Sequence, residues 1–440
     1  MKTFSLGLFC IFSICLLAVP AAASMVPQRS VLENGMILLT SEQRALPMVS
    51  IELLIDSGSR HDGPNQEGLA NLTARLLTYG TQRRTALQIS DTLDFIGASL
   101  SAGCSEDLAT VSMTVLKKDL APGVELLAEV LTTSTFPQEE MDRQKQSVIA
   151  SLKAREESPG DIAERRFAAA LYPRSPYGRP VEGNEASVKG LQQQSLRAFY
   201  ERYYRPNRTI LSVVGDISHQ GIAQALNEAF RSWPKGEPAT APVAPTKIGI
   251  AETLRVNKDL TQANIILGHE GVGRENPDYY AIQVMNYILG GGGFSSRTLD
   301  SIRNERGLAY SVYSYFSAEK GHGTFELAMQ TRNETALEAI RIAKAEMRRM
   351  REEPVTAEEL SDAKDYLTGS FPLRFDTNRK VANFLALVEY FQLGLDYPDR
   401  YLDLIGKVTR EDVQRVAQTY LKPETLITVI VANQKKIGDP

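Results

Sequence analysis

The side chains in this chain that suit catalysis are few. The first to consider are the four histidines, His61, His219, His269 and His322. No two of them stand at the i, i+4 spacing that places two imidazoles on one helix face around a zinc ion. Cys104 has no identifiable histidine partner and no Gly-x-Ser-x-Gly turn is present, so cysteine and serine hydrolysis are unsupported. An irregular zinc site elsewhere in the chain is the remaining alternative.

Two further stretches stand out by pattern. Residues 67–81, EGLANLTARLLTYGT, predict an amphipathic helix with leucines at helical spacing on one face. Beside that face stand Asn71, Ala74 and Arg75, three residue types that do not make a site together. The glycine run 290–293 is not followed by Lys-Ser/Thr, so it does not predict a phosphate loop. It fits a flexible helix end or a close approach of backbone instead.

The composition is that of an ordinary globular protein. The 440 residues are 43% hydrophobic and 23% charged, which allows a full core and two or three domains. The formal net charge of −4 gives no electrostatic sign of binding to nucleic acid or to an anionic membrane surface. No later segment is apolar for long enough to cross a bilayer, so no membrane span is expected after residue 24. From the net charge, no nucleic-acid partner is expected either.

Residues 1–24, MKTFSLGLFCIFSICLLAVPAAAS, have the layout of a secretory signal peptide. A lysine near the start precedes an apolar run that ends at Pro20 and small residues suited to cleavage. The alternative is an uncleaved N-terminal anchor. Cleavage leaves Cys104 as the single cysteine, so no internal disulfide is expected in the mature chain. An exported protein, most simply a periplasmic one, is predicted.

The remainder of the chain divides into two parts. Pro, Ala and Gly cluster in residues 236–249, which predicts a linker between an N-terminal domain, 25–235, and a C-terminal domain, 250–440. The order helix, Pro turn, β-rich run occurs at 195–218 and again at 412–435. Each part also begins with a strand, a Gly-rich turn and a helix, and the two matches in the same order indicate a duplication.

Within each part the pattern predicts a β-hairpin followed by a pair of helices. Residues 98–117 alternate like a hairpin, and two stretches of helical period come after them. We therefore predict an α+β fold of two duplicated α/β sandwiches, each an antiparallel or mixed sheet with helices gathered on one face. Two such domains joined by a linker are expected to enclose a groove.

Four stretches together resemble the insulinase or pitrilysin-type zinc metallopeptidases, specifically their short two-domain branch, which includes mitochondrial processing peptidase. They are DSGSRHDGPNQEGLANLTARLLTYGT, YPRSPYGRPVEGNEASVKGL, YYRPNRTILSVVGDI and LGGGGFSSRTLDSIRNERGLAYSVYS. The resemblance covers nearly everything after residue 24. It implies two domains of this family's fold in a clam-like arrangement.

Active members of that family carry an inverted zinc motif, H-x-x-E-H, on the first helix, and a further Glu ligand on a later helix. Asn71 and Arg75 match the histidine positions, Ala74 matches the glutamate position, and Ser151 matches the further ligand. Asn is a poor zinc ligand, Ala cannot act as a base, and Arg brings a permanent positive charge. The resemblance therefore implies no catalytic metal and no catalytic residue in this chain.

The segment 290–314 keeps its family motif. In the family, an Arg and a Tyr in the R-x-x-x-G-L-x-Y region reach into the catalytic chamber, and the matching residues here are Arg303 and Tyr310. A guanidinium binds a peptide carbonyl strongly in a dry site, and a phenol donates to developing negative charge. Without the family, Arg303 reads as a solvated helix residue and Tyr310 as packing at a strand start.

These observations favour a non-catalytic subunit of an exported heterodimeric zinc metallopeptidase. A homologous H-x-x-E-H chain is expected to supply the zinc, and this chain the substrate-binding Arg303, Tyr310 and part of the chamber wall. The expected substrate is an unfolded or short peptide, bound as an added strand along a sheet edge. The alternative is a structural or peptide-binding pseudopeptidase that acts as a homodimer or an assembly factor.

Overall fold

The computed structural model describes residues 27–239, 242, 245 and 251–437. The predicted signal peptide, 1–24, lies outside the described residues, as does most of the predicted linker, 236–249. We call residues 27–239 the first half and residues 251–437 the second half.

The first half forms one mixed sheet, sheet 1, with helices around it. Its strands are β1 (Gln28–Val31), β2 (Ile37–Glu42), β3 (Met48–Ile55), β4 (Ser99–Cys104), β5 (Ala109–Leu116) and β6 (Thr209–Gly215). Its helices are α1 (Leu69–Leu76), α2 (Ala86–Phe95), α3 (Leu120–Thr133), α4 (Gln138–Glu157), α5 (Pro159–Leu171), α6 (Glu185–Gly190), α7 (Gln193–Tyr203) and α8 (His219–Ala229).

The second half forms sheet 2 in the same way. Its strands are β7 (Glu252–Asn257), β8 (Gln262–Glu270), β9 (Ala309–Ala318), β10 (Gly323–Arg332) and β11 (Ile427–Ala432). Its helices are α9 (Tyr279–Asn286), α10 (Arg297–Leu299), α11 (Ala336–Glu352), α12 (Ala357–Ser370), α13 (Asn378–Tyr390), α14 (Tyr397–Gly406) and α15 (Arg410–Tyr420).

The two sheets repeat one topology. Sheet 1 has the order β1-β2-β6-β3-β5-β4 and sheet 2 the order β7-β11-β8-β10-β9. β2 runs parallel to β6 just as β7 runs parallel to β11, and the remaining neighbours are antiparallel. Apart from the extra edge strand β1, the two sheets have the same strand order and the same strand directions. The predicted α+β class with two related domains is confirmed.

Strand burial follows from position in each sheet. The hairpin strand β5, ATVSMTVL, alternates between buried and half-buried residues, as expected for a strand with one face on the core. By contrast, β11, ITVIVA, is buried at every residue, and β3 is buried at all but its first. Continuous burial requires a cover on both faces of the sheet.

The second face of each sheet is covered by a helix from the other half. Helix α5, from the first half, packs on β8 and β11 of sheet 2, and helix α13, from the second half, packs on β3 and β6 of sheet 1. Phe167 of α5 belongs to the apolar cluster of Ile266 and Val429, and Leu385 of α13 to that of Leu39 and Val214. This exchange joins the halves through buried apolar surface, which the sequence pattern does not specify.

Candidate functional site

Helix α1 is fixed at its N-terminus by a buried carboxylate. Both oxygens of Asp62 accept backbone N–H bonds, from Gly68 and from Ala70, at 2.8 Å each. Gly68 has φ of +92°, and a Cβ there would lie 2.5 Å from the carbonyl oxygen of Glu182. Only glycine fits this left-handed position against backbone. The start of the helix predicted from residues 67–81 is therefore set by two specific contacts.

The four degenerate positions lie on two helices of the first half. Asn71 and Ala74 of α1 are buried, and the Asn71 amide nitrogen has no hydrogen-bond partner. Arg75 points to α4, where Nε and Nη2 each donate to Oε1 of Gln144 at 3.3 Å. Ser151 is exposed on α4 and lies seven residues after Gln144, close to two helical turns, so the two share a face. The hydrogen bonds to Gln144 therefore place Arg75 of α1 beside the face of α4 that carries Ser151.

The chemistry of these side chains does not fit a zinc ion. A guanidinium held by Gln144 repels a dication from the place of the second ligand, and Ala74 offers no atom that binds metal or takes a proton. Across the described part of the chain, no group of three His, Cys, Asp or Glu side chains is arranged to hold a metal. We derive no metal-dependent step from this chain.

The glycine run of the second half lies in an irregular helical segment. After α9 the chain passes through a π-helical turn, Tyr287–Gly291, and a second π-helical turn, Asp300–Asn304, follows α10. A Cβ on Gly290 would lie 2.4 Å from Oγ of Ser314 in β9, so this glycine permits a close approach of helix and strand. Such π turns are frequent at functional sites.

Buried contacts hold this segment in place. Arg297 makes a bidentate pair with Glu359 of α12, with Nε–Oε1 at 2.6 Å and Nη2–Oε2 at 2.8 Å. Although burial acts to raise it, the bonds from Arg297 keep the pKa of Glu359 below its ordinary value. Asn286 and Ser314 exchange two hydrogen bonds, of 2.8 and 3.1 Å. In the longer bond the Asn286 amide donates to the backbone carbonyl oxygen of Ser314, which attaches the end of α9 to strand β9.

Arg303 lies on this fixed segment between two aromatic rings. Its guanidinium carbon is 5.0 Å from the ring centroid of Phe294 and 5.1 Å from that of Tyr310. Phe294 is 72% exposed and Tyr310 is 74% exposed. Among the described residues, Arg303 makes no salt bridge and no side-chain hydrogen bond, so its donors are oriented by the rings and open to a ligand.

The structure thus brings Arg303 and Tyr310 together, and separates them from the α1 positions. The two groups belong to different halves, and no hydrogen bond, salt bridge or ring contact between them occurs in the described residues. Sequence reasoning missed Phe294, the second ring on the guanidinium. An exposed aromatic residue directly after a glycine run was the available signal, since such a residue has little to pack against in its own chain.

The fold defines a two-domain α+β protein whose two sheets repeat one topology. Comparison with protein families identifies the class. Residues 38–185 match the family model described as Insulinase (Peptidase family M16), and residues 190–367 match the model described as Peptidase M16 inactive domain. Together the two matches cover most of the chain, which therefore belongs to the insulinase family.

Individual relatives agree with that assignment. An uncharacterized zinc protease of Streptomyces coelicolor is 28% identical over 409 residues, which is 92% of this chain and 89% of the relative. The uncharacterized zinc protease YmxG of Bacillus subtilis is 28% identical over 92% of this chain and 98% of its own length.

Solved structures of similar fold are also known. A peptidase M16 inactive domain from Pseudomonas fluorescens matches with a TM-score of 0.88 and 28% identity over 93% of this chain and 98% of its own. A protease from Helicobacter pylori matches with a TM-score of 0.85 and 21% identity, covering 92% of this chain and 99% of its own, which supports the fold alone.

Proposed function

We propose that this chain is the non-catalytic subunit of an exported heterodimeric zinc metallopeptidase. The observation that carries the proposal is the state of Arg303, a guanidinium oriented by two exposed rings and left without a counter-ion. Both rings are largely exposed, so the guanidinium is held at the surface with its donors facing solvent. The residue types at the α1 positions support the same division of labour, and relatives named as uncharacterized zinc proteases in Streptomyces coelicolor and Bacillus subtilis fit a role in peptide hydrolysis.

Each residue has a definite task in this proposal. Arg303 donates two hydrogen bonds to a carbonyl of the substrate backbone, which fixes the peptide in register. Tyr310 donates a hydrogen bond from its phenol to the oxygen that gains negative charge during attack on the scissile carbonyl. The partner chain supplies the zinc, its bound water and the general base through an intact H-x-x-E-H helix.

The duplicated topology supports a paired arrangement. Along the chain, α1 comes after β3 and before the β4–β5 hairpin of the first half. The Arg303 segment comes after β8 and before the β9–β10 hairpin of the second half, which is the equivalent position. A two-fold related partner of the same fold then sets its first-half helix opposite this chain's second-half segment. The half-exposed edge strand β4 pairs only with β5 among the described strands, so it offers a place for an added peptide strand.

Reconstitution tests the proposal. The chain is purified from its native source and assayed in two samples, alone and after mixing with a homologous H-x-x-E-H chain from the same source. Hydrolysis of an unstructured peptide is expected only in the mixture, and metal analysis is expected to find zinc in the partner alone. Zinc bound one-to-one to this chain would contradict the proposal. A stable homodimer with no such partner in the source would favour a purely structural pseudopeptidase.

A further inference from the structure

A cavity of about 800 Å³ lies between the two halves, in the layer formed by the exchanged helices. Phe167 of α5 and Leu387 of α13 line two of its sides, and residues of sheet 2 form its floor. The volume falls in the usual range of small-ligand pockets, about 300 to 1,000 Å³. The proposal for Arg303 and Tyr310 does not use this cavity, and neither residue lines it.

One wall of the cavity carries a buried cation without an anionic partner. Arg274 is 8% exposed and forms no salt bridge in the described structure. Its Nη2 donates to the phenolic oxygen of Tyr397 at 2.9 Å, and its guanidinium carbon lies 3.7 Å from the ring centroid of Tyr279. Phenols and ring faces are weak substitutes for a carboxylate, so the site retains a strong preference for an anion.

The floor of the cavity carries the opposite charge, also without an ionic partner among the described residues. Glu326 is 8% exposed, lines the same cavity and makes no salt bridge within the described residues. It accepts a hydrogen bond of 2.9 Å from Oγ1 of Thr324 and another from the phenol of Tyr315, two neutral donors. Burial raises its pKa, and the nearby carboxylate of Glu164 acts in the same direction. A cation placed in the cavity would relieve both effects.

The backbone positions that carry the two charges lie well apart, since Glu326 pairs with Gly268 in β8 and Arg274 is six residues further along the chain. The backbone N–H of Arg274 donates to the Glu319 carbonyl at 2.8 Å, beside the turn between β9 and β10, and Glu326 is three residues beyond the start of β10 at Gly323. Three residues of strand span about 10 Å. An extended peptide of about three residues spans that distance, at ~3.3–3.6 Å per residue.

We propose that the cavity between the halves binds a short peptide with free termini, its carboxylate on Arg274 and its ammonium group on Glu326. The ligand neutralises two buried charges that the protein leaves unpaired, and the aromatic lining packs on its side chains. This site belongs to the chain alone. It therefore stands or falls independently of the zinc-bearing partner.

Calorimetric titration of the full purified chain with trialanine tests the proposal. Trialanine with both termini free is expected to bind saturably. The N-acetyl and the C-amide forms are each expected to bind roughly tenfold more weakly or worse, because each lacks one charge-assisted interaction. Equal affinity for the free and the blocked peptides, or no saturable binding of trialanine, would overturn the proposal.

Variants assign the two ends of the peptide. Arg274→Gln is expected to remove the preference for a free carboxylate and to keep the preference for a free amine, and Glu326→Gln to do the reverse. Arg341→Gln and Glu338→Gln, which alter an exposed pair on α11, are the matched controls and are expected to bind as the wild type does. Loss of the same preference in both cavity variants would contradict the proposed orientation. The wild-type titrations decide the proposal even if Arg274→Gln fails to fold.

Discussion

At the scale of single residues, the two family sites of this chain differ in what surrounds the key side chain. Arg75 of α1 donates two hydrogen bonds to Gln144 of α4, so its guanidinium links these two helices of its own chain. Arg303 is held only by the faces of two exposed rings. The Nε and Nη2 donors of Arg75 are therefore hydrogen-bonded within the chain, whereas the donors of Arg303 are available to a ligand.

The ring of Phe294 is expected to orient Arg303. Phe294→Leu removes one cation–π contact, worth about 0.5–1 kcal/mol at an exposed site. In the reconstituted pair, kcat should fall by about two- to fivefold with little change in KM, since the contact orients a group that acts in the transition state. Phe95→Leu, at a residue that is 91% exposed on α2, is the control and should leave kcat unchanged. An unchanged kcat in Phe294→Leu would remove the ring from this role.

His269 makes the fold sensitive to acid. Its Nδ1 contacts the carbonyl oxygen of Glu270 at 2.7 Å and its Nε2 accepts the backbone N–H of Lys422 at 3.2 Å, which fits a neutral ring protonated on Nδ1. Burial lowers its pKa to about 4. The unfolded chain takes up this proton near pH 6.5 and the folded chain does not, so stability decreases as the pH falls from 7 to 5.

The expected loss from His269 between pH 7.5 and pH 5 is about 2 kcal/mol. The amide of Gln can donate and accept in similar directions. Over the same pH interval, the unfolding free energy of His269→Gln should therefore fall by about 2 kcal/mol less than that of the wild type. Urea unfolding at the two pH values measures the difference. An equal loss in the variant and the wild type would show that His269 does not carry this pH dependence.

At the scale of elements, the segment that carries Arg303 depends on the pair between Arg297 and Glu359. Removing one partner of a largely buried pair leaves the other charge uncompensated, and Arg297→Gln is expected to cost about 2–4 kcal/mol of unfolding free energy. Because Arg297 begins α10 and the second π turn follows that helix, amide hydrogen exchange should rise most in residues 293–304. Arg341→Gln on the surface of α11 should cost less than about 0.5 kcal/mol. Exchange that rises evenly over the chain would contradict a local clamp.

Most regular elements could be predicted from sequence, and the irregular ones could not. Alternation in residues 98–117 predicts the β4–β5 hairpin, and leucine spacing predicts α1. The π-helical turns 287–291 and 300–304 have no such signature, since over five residues their period is hard to distinguish from that of an α-helix. Phe294 was overlooked for a related reason, because its role depends on where an irregular segment places it.

At the scale of the whole molecule, the exchange of α5 and α13 makes the halves interdependent. The apolar pattern of α5 shows that one face is buried, but no pattern states which sheet buries it. The sequence therefore predicts two sandwiches and misses their mutual cover. The cavity was missed for the same reason, since Arg274 and Glu326 of the second half face an enclosed space only when α5 and α13 are packed between the halves.

Interdependence predicts a single unfolding transition. Leu327→Ala removes a fully buried side chain from the second-half core and should cost about 2–5 kcal/mol. The only tryptophan, Trp233, lies in the first-half core and reports on that half. Its fluorescence and far-UV circular dichroism are expected to shift together in the variant. A Trp233 transition that stays at the wild-type midpoint while the dichroism shifts would show that the halves unfold separately.

The central claim is that this chain contributes Arg303 and Tyr310 to catalysis by a zinc-bearing partner. The most direct test is kcat for an unstructured peptide in the reconstituted pair, with Arg303→Ala or Tyr310→Phe in this chain and Arg341→Ala as the control. Loss of a transition-state donor predicts a fall in kcat of roughly 100-fold or more, with the pair still assembled and the control unaffected. Wild-type kcat in both variants would contradict the account.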